Sequence, residues 1–444
     1  MFNALIIIFG ASGDLTKRSL IPALYSLFAK GKLEKSFIVG ASIDQKSAEE
    51  ILSGSLEFIK DLDKNIWENF CKIYAYQKLD FKNLDDYKKL TKFLNNLNLP
   101  ENRLLYCSAG AEFFEDITIN SINAELIKKS NSDKFWQRIA YEKPFGYDLK
   151  SAEHINKIVS ENLDEKQIFR IDHFLGDELL ANVSYIRFTN TLFEAVWNKE
   201  CIESVEVLLE ESISIFDRGR FYDKVGALID VIQNHVLQMF ALVAMEHPKM
   251  LTPEAITQAK IDVLKKTKFV KGVLGQYKGY LQEKYIAPNS KTDTFALLQL
   301  EVDNERWKNV PFYLKSGKLL KNKDVSIKIN FKKAECPLLE GCPFGSDSLE
   351  IRLAPEAGFK LNINAKAPED KGVENVAMEL LHNAVWPYSP KAYEVILTKL
   401  LEGNRFVSVS FEEILECWKI TEFVQKQNLE LKVYEPGSFG PDLR

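Results

Sequence analysis

The sequence has little cysteine and does not cluster it. Six thiols stand at 71, 107, 201, 336, 342 and 417. Only Cys336 and Cys342 are near neighbours, so neither a disulfide framework nor zinc-ligand spacing is present, and no metal site is expected. Buried thiols in a reducing cytoplasm are the expected reading. A basic excess is also missing. Lys and Arg total 58 against 63 Asp and Glu, a net charge of -5, which excludes a general nucleic-acid binder and makes any anion site a local one. Long apolar runs are absent too: Val236–Met245 is half of the ~20 residues a bilayer demands, so no membrane partner is expected. The apolar start Ala4–Phe9 lacks a basic leader and runs into a glycine turn and Asp14, which suits a buried strand better than a signal peptide. Internal repeats, low-complexity tracts and long linkers are not found.

What is present is an ordinary globular composition, 46% hydrophobic and 27% charged over 444 residues, long enough for two cores. The first 175 residues or so alternate short apolar runs (Leu5–Phe9, Phe37–Ala41, Arg103–Ser108, Arg138–Glu142, Gln167–Asp172) with amphipathic stretches such as Leu20–Lys30 and Leu149–Asn162. Two-sided apolar runs separated by helical patterns predict a doubly wound α/β domain of Rossmann type over residues 1–178. From 179 to 444 the pattern changes to alternating segments, Ser204–Leu209, Phe295–Val302, Val325–Phe331, Leu349–Leu353 and Phe359–Asn364, interrupted by one apolar helix near Tyr222–Met245. An α+β domain with a large antiparallel sheet is the expectation there.

Gly10, Ala11, Ser12, Gly13, Asp14 and Leu15 follow the first strand and precede a helix. Glycine there lets the backbone turn sharply toward a pyrophosphate, and the helix N-terminus favours its charge. The third glycine of the common dinucleotide pattern is missing, so the turn alone does not separate a cofactor site from an ordinary strand-to-helix connection.

Further along stand Glu142-Lys143-Pro144-Phe145-Gly146, Arg170-Ile171-Asp172-His173-Phe174-Leu175-Gly176, Asp230-Val231-Ile232-Gln233-Asn234-His235 and Val310-Pro311-Phe312-Tyr313-Leu314-Lys315-Ser316-Gly317-Lys318. Tyr277, Ser290–Phe295 and Tyr434–Pro441 complete the series. In this order, over nearly the whole chain, the set closely resembles the glucose-6-phosphate dehydrogenase family. The resemblance implies oxidation of the C1 hydroxyl of glucose 6-phosphate to the lactone with hydride transfer to NADP, at the start of the pentose phosphate pathway. It also implies a cytoplasmic protein that forms a homodimer or a dimer of dimers.

Such a step needs a base for the hydroxyl proton. Histidine suits it at neutral pH, and a carboxylate partner fixes the tautomer and stabilises the imidazolium. By the resemblance, His235 is that base and Asp172 its partner. Glu211 and Asp230 match acids that accept hydrogen bonds from sugar hydroxyls, and Lys143 matches the lysine between substrate and cofactor. His173, Lys318 and Lys323 match groups beside the sugar and its phosphate. On residue type alone, each has a plain alternative as a core histidine, a cap or a solvated charge. A regular helix also turns Asp230 and His235 about 140° apart, so both address one ligand only across a helix end or bend.

The chain departs from the family's pattern where charge matters. Ser19 and Ser42 replace a lysine and an arginine, Phe174 and Asp177 replace a tyrosine and a lysine, and Gly110-Ala111 replaces a proline pair. At an effective dielectric of ~20, a unit charge ~5 Å from another is worth about 3 kcal/mol, so Asp177 beside a phosphate needs compensation. Lys321, Arg187, Arg218 and Arg220 are the candidate compensating cations. Without the arginine at Ser42, NADP is expected with NAD accepted alongside it. Two further readings follow from these departures: a dehydrogenase of the same family with a different sugar specificity, or an inactive paralogue acting as a binding or assembly partner.

Overall fold

A computed structural model describes residues 1–97, 99–129, 134–333, 345–368, 373–386 and 388–443. Cys336 and Cys342 lie outside the described residues. The chain divides into two compact units, Met1–Gly176 with Pro390–Phe411, and Asp177–Ser389 with Glu412–Arg444. The division expected at 178/179 was linear, whereas Pro390–Phe411 returns to the first unit.

In the first unit six parallel strands, β1 (Leu5–Phe9), β2 (Phe37–Ser42), β3 (Tyr74–Lys78), β4 (Arg103–Cys107), β5 (Gln137–Glu142) and β6 (Ile168–Ile171), lie in the order β3-β2-β1-β4-β5-β6. The order reverses between β1 and β4, the switch point where open α/β sheets bind ligands beyond their carboxyl ends. Every residue of β1 is buried, as expected for a strand covered on both faces. The returning segment carries the helix Ala392–Glu402, whose Ile396, Leu397, Leu400 and Leu401 join the same core as Ile6, Ile8 and Leu104. Each such side chain contributes ~1.5–3 kcal/mol. Arg138 on β5 donates to the carbonyls of Leu400 at 2.6 Å and Leu401 at 2.8 Å, a cation placed where a helix C-terminus favours one. Burial lowers its pKa to about 10.

The second unit is built on nine strands: β7 (Ile202–Glu210), β8 (Thr267–Tyr277), β9 (Phe295–Val302), β10 (Phe312–Gly317), β11 (Asp324–Phe331), β12 (Ser348–Ala354), β13 (Gly358–Lys366), β14 (Val373–Leu381) and β15 (Leu431–Tyr434). Their order is β14-β13-β12-β11-β7-β10-β9-β8-β15. The sheet is largely antiparallel, but β10 runs parallel to β7 and β15 parallel to β8. The expected single apolar helix is three pieces. An α-helix, Gly219–Ala227, passes through Gly226 at φ +66° into a π-helix, Leu228–Val236, and then an α-helix, Leu237–Ala244. The stretch Phe216–Ala244 is long and apolar enough to cross a membrane, yet its most apolar window is 94% buried within the protein, as in a core helix.

Candidate active site

In the first unit the predicted residues gather at the carboxyl ends of the strands. Gly10 turns the chain after β1 at φ +91°, and a Cβ there would lie 2.9 Å from the Ser108 backbone. The hydroxyls of Thr16 and Ser108 both reach the Gly10 carbonyl, at 3.1 and 3.4 Å, and tie the turn to the end of β4. The N–H groups of Gly10 and Ala11 bond the Ala41 carbonyl at 2.9 and 3.2 Å, and that of Gly13 bonds Gly10 at 3.0 Å. A pyrophosphate held by this turn would meet chiefly the N–H groups of Ser12, Asp14 and Leu15, since those of Gly10, Ala11 and Gly13 are already bonded.

Ser42 ends β2. Its hydroxyl lies 2.7 Å from that of Tyr76, which also reaches the Asp44 carbonyl at 2.7 Å. Lys143 follows β5. The adjacent Glu142 is buried and accepts a hydrogen bond from the Tyr106 hydroxyl at 2.5 Å. A second bond comes from Tyr393 on the returning helix. Burial raises the Glu142 pKa from 4.5 to about 7, the two tyrosine bonds oppose the rise, and the nearby Asp172 charge adds to it. Asp172 and His173 follow β6. Asp172 is buried, and its Oδ1 accepts the Phe174 N–H at 3.0 Å. The His173 ring stacks on Tyr393, centroids 6.2 Å apart and planes 13° from parallel.

In the second unit Glu211 and Lys318 meet because β7 and β10 are parallel neighbours. Glu210 pairs with Gly317 across the ladder, so the next residues emerge together and form an ion pair. Lys318 is buried, with its Nζ 5.8 Å from the centroid of the buried Tyr222 ring. Its backbone is fixed on both sides, since its N–H bonds the Thr294 carbonyl at 2.9 Å and its carbonyl accepts the Tyr434 hydroxyl at 2.6 Å. The motifs around Thr294 and Tyr434 thus buttress Lys318.

Asp230 and His235 are buried on the π-helix, and Arg218 lies 3.4 Å from Asp230. The turn into that helix is held by Asp293, whose carbonyl accepts the Ala227 N–H at 2.9 Å and whose Oδ2 accepts that of Leu228 at 2.8 Å. Burial raises the Asp293 pKa to about 6. A Cβ on Gly226 would sit 2.5 Å from Asp293 Oδ1, so this glycine permits both the left-handed φ and the close approach.

Lys323 is exposed immediately before β11. Arg187 does not serve as a spare cation. It is fully buried against Glu194 at 3.0 Å and the carbonyls of Val243 and Met245. Arg220 packs over Tyr285 at 4.4 Å and Lys321 over Phe439 at 4.8 Å. The Asp177 carboxylate caps the helix Glu178–Thr189, accepting the Leu179 N–H at 2.9 Å. Glu142, Tyr106, Tyr393 and Tyr222 had not been expected as site neighbours. Glu142 stood inside a quoted motif, but a strand-end acid carries no signal of burial.

A parallel sheet with a phosphate turn at its switch point, followed by a second unit carrying buried acids, a histidine and a lysine, defines a nicotinamide-dinucleotide-dependent dehydrogenase. Comparison with known proteins gives the family. Residues 7–182 match "Glucose-6-phosphate dehydrogenase, NAD binding domain", and residues 184–444 match "Glucose-6-phosphate dehydrogenase, C-terminal domain". The chain belongs to the glucose-6-phosphate dehydrogenase family. It is 34% identical to the glucose-6-phosphate 1-dehydrogenase of Chlamydia muridarum, over 99% of this chain and 93% of that one. It is also 34% identical to that of Bacillus subtilis, over 99% and 95%. Among solved structures, a glucose-6-phosphate dehydrogenase in complex with its substrate superposes with a TM-score of 0.90 at 30% identity, covering 100% of this chain and 96% of that chain. Levoglucosan dehydrogenase, at TM-score 0.56 and 12% identity over 96% of each chain, shares the fold alone.

Proposed function

We propose that this chain oxidises the C1 hydroxyl of β-glucopyranose 6-phosphate to the 6-phosphogluconolactone, the first step of the pentose phosphate pathway, with NADP as the preferred acceptor. The observation that carries the reading is the set of buried ionisable groups, Asp172 in the first unit and Asp230, His235 and Lys318 in the second. Burying so many ionisable groups is costly, and a purely structural protein has no need of the set.

In this reading His235 removes the C1 hydroxyl proton while Asp172 fixes the imidazole tautomer and stabilises the imidazolium. The nicotinamide, when bound, accepts the C1 hydride. Glu211 and Asp230 accept hydrogen bonds from sugar hydroxyls, and are themselves paired with Lys318 and Arg218. His173, Lys318 and Lys323 serve the phosphate side, and Lys143 stands between sugar and cofactor. Ser42 offers no cation for a ribose 2′-phosphate, which supports NAD as a second acceptor.

A homodimer, or a dimer of dimers, and a cytoplasmic location belong to the same reading. Support for assembly comes from β14, where residues 374–380 are all exposed and include Val376, Met378 and Leu380. A relative named as cytoplasmic, from Arabidopsis thaliana, is 32% identical over 98% of this chain. A second reading, altered sugar specificity, is favoured by Asp177, an acid at the family's phosphate-side position. The test is nucleotide reduction by the purified protein over a panel of sugars and sugar phosphates. Glucose 6-phosphate should give the highest kcat/KM, and a non-phosphorylated sugar exceeding it would transfer the assignment to the second reading.

A further inference from the structure

The first unit contains a buried acid that the mechanism above does not use. Glu142 is the last residue of β5, one position before Lys143, and its ladder partner on β6 is Ile171, one position before Asp172. Asp172 thus lies one step beyond the level of Glu142 on the neighbouring strand, close enough for its charge to act on Glu142. Glu142 is enclosed by phenols: Tyr106 on β4 donates at 2.5 Å, and Tyr393 donates from the helix Ala392–Glu402 while its ring stacks on His173. The charged and titratable groups acting on Glu142 are Tyr106 from β4, Tyr393 from the returning helix, Asp172 beyond β6 and Lys143 just beyond β5.

We propose that Glu142 is a positioning residue of the reaction, a second carboxyl that Tyr106 and Tyr393 hold beside Asp172, and that its charge tunes the strength of the catalytic base. The inference rests on the reading of Asp172 as partner of His235. Two adjacent carboxyls in a dry site resist carrying two charges. While Glu142 keeps its proton, it adds no charge beside Asp172. When Glu142 ionises, the added negative potential favours the imidazolium, so the base holds its proton to higher pH. Both tyrosines donate to the carboxyl and favour its ionised form. Removing either hydroxyl should keep Glu142 neutral over a wider pH range.

The test is the pH profile of kcat with glucose 6-phosphate and NADP. Glu142→Gln keeps the shape, its carbonyl able to accept from one phenol and its amide N–H to donate to the other phenol oxygen, but carries no charge. It should move the basic-group limb to lower pH by at least half a unit, with KM for glucose 6-phosphate changed by less than about threefold. Tyr393→Phe and Tyr106→Phe should move the limb in the same direction by less, and they carry the test if Glu142→Gln does not fold. A limb at the wild-type pH in the folded variants overturns the proposal.

Infrared titration reads the same proton without turnover. The protonated-carboxyl band that wild type loses across neutral pH should be missing from Glu142→Gln. An unchanged band also overturns the proposal. A wild-type protein inactive on glucose 6-phosphate counts against the proposed function instead, while the infrared titration still decides whether Glu142 holds the proton.

Discussion

Asp230 and His235 lie five residues apart on a helix whose middle stretch, Leu228–Val236, is wound as a π-helix. The i→i+5 pattern brings such residues over one another. On an α-helix they would diverge by about 140°. The winding removes the geometric obstacle to both residues addressing one sugar, and its start is pinned by Asp293 at Gly226. Gly226→Ala would force a Cβ into Asp293 and strain a positive φ. A loss of about 1–3 kcal/mol in stability is expected, together with a fall in kcat larger than the rise in KM. Unchanged urea unfolding and unchanged kcat would contradict this role.

In the proposed function, Ser42 stands where the ribose of the nucleotide is read, and its hydroxyl meets that of Tyr76. With the Ser42 hydroxyl engaged by Tyr76 and no arginine at the end of β2, kcat/KM for NADP should exceed that for NAD by less than ~10³. Ser42→Arg should widen the preference for NADP at least tenfold, mainly through KM. A wild-type ratio above that bound would show that another cation reads the 2′-phosphate.

Asp177 requires a variant that separates charge from capping. Asn caps a helix about as well as Asp, so Asp177→Asn should leave the melting temperature nearly unchanged while lowering KM for glucose 6-phosphate severalfold, provided the phosphate sits at the family position. Asp177→Lys should lower it at least ~10-fold, a repulsion becoming an attraction worth more than ~1.4 kcal/mol. That variant also loses the cap, at a cost of about 1 kcal/mol in stability. Equal KM values in all three proteins would put the phosphate elsewhere.

Glu142 also predicts a pH dependence of stability. Its pKa is raised by folding, from 4.5 to about 7, so the native state binds the proton more tightly than the unfolded chain. Its contribution is most favourable below pH 4.5 and declines as pH rises to about 7, a total of about 3 kcal/mol from the size of the shift. Relative to wild type, Glu142→Gln should therefore gain stability between pH 5 and pH 8. A pH-independent difference in urea unfolding would contradict the shift.

Much of this organisation was legible in the sequence. Leu5–Phe9 and Phe295–Val302 were read with the observed bounds because their apolar patterns match two-sided and one-sided burial. Tyr74–Lys78 was not, since this edge strand is half exposed and has no apolar run. Val373–Leu381 was missed for a related reason, as both its faces are exposed and no alternation is imposed. The π-winding escaped because a helix buried on all sides has no periodicity to reveal its turn. The pairing of Glu211 with Lys318 depended on the parallel β7–β10 neighbours, and Tyr393 reaches Glu142 only through the return of Pro390–Phe411. Arg187 was read as a spare cation because a sequence does not show that a charge is already satisfied.

The most direct test is the turnover of His235→Asn beside wild type, with glucose 6-phosphate and NADP saturating. Wild type should reduce the nucleotide. The variant should lose ~10²–10⁴ in kcat with substrate affinity within a few fold, and Asp172→Asn should fall in the same direction, with a double variant less than additive. A His235→Asn protein that turns over at the wild-type rate would contradict the account.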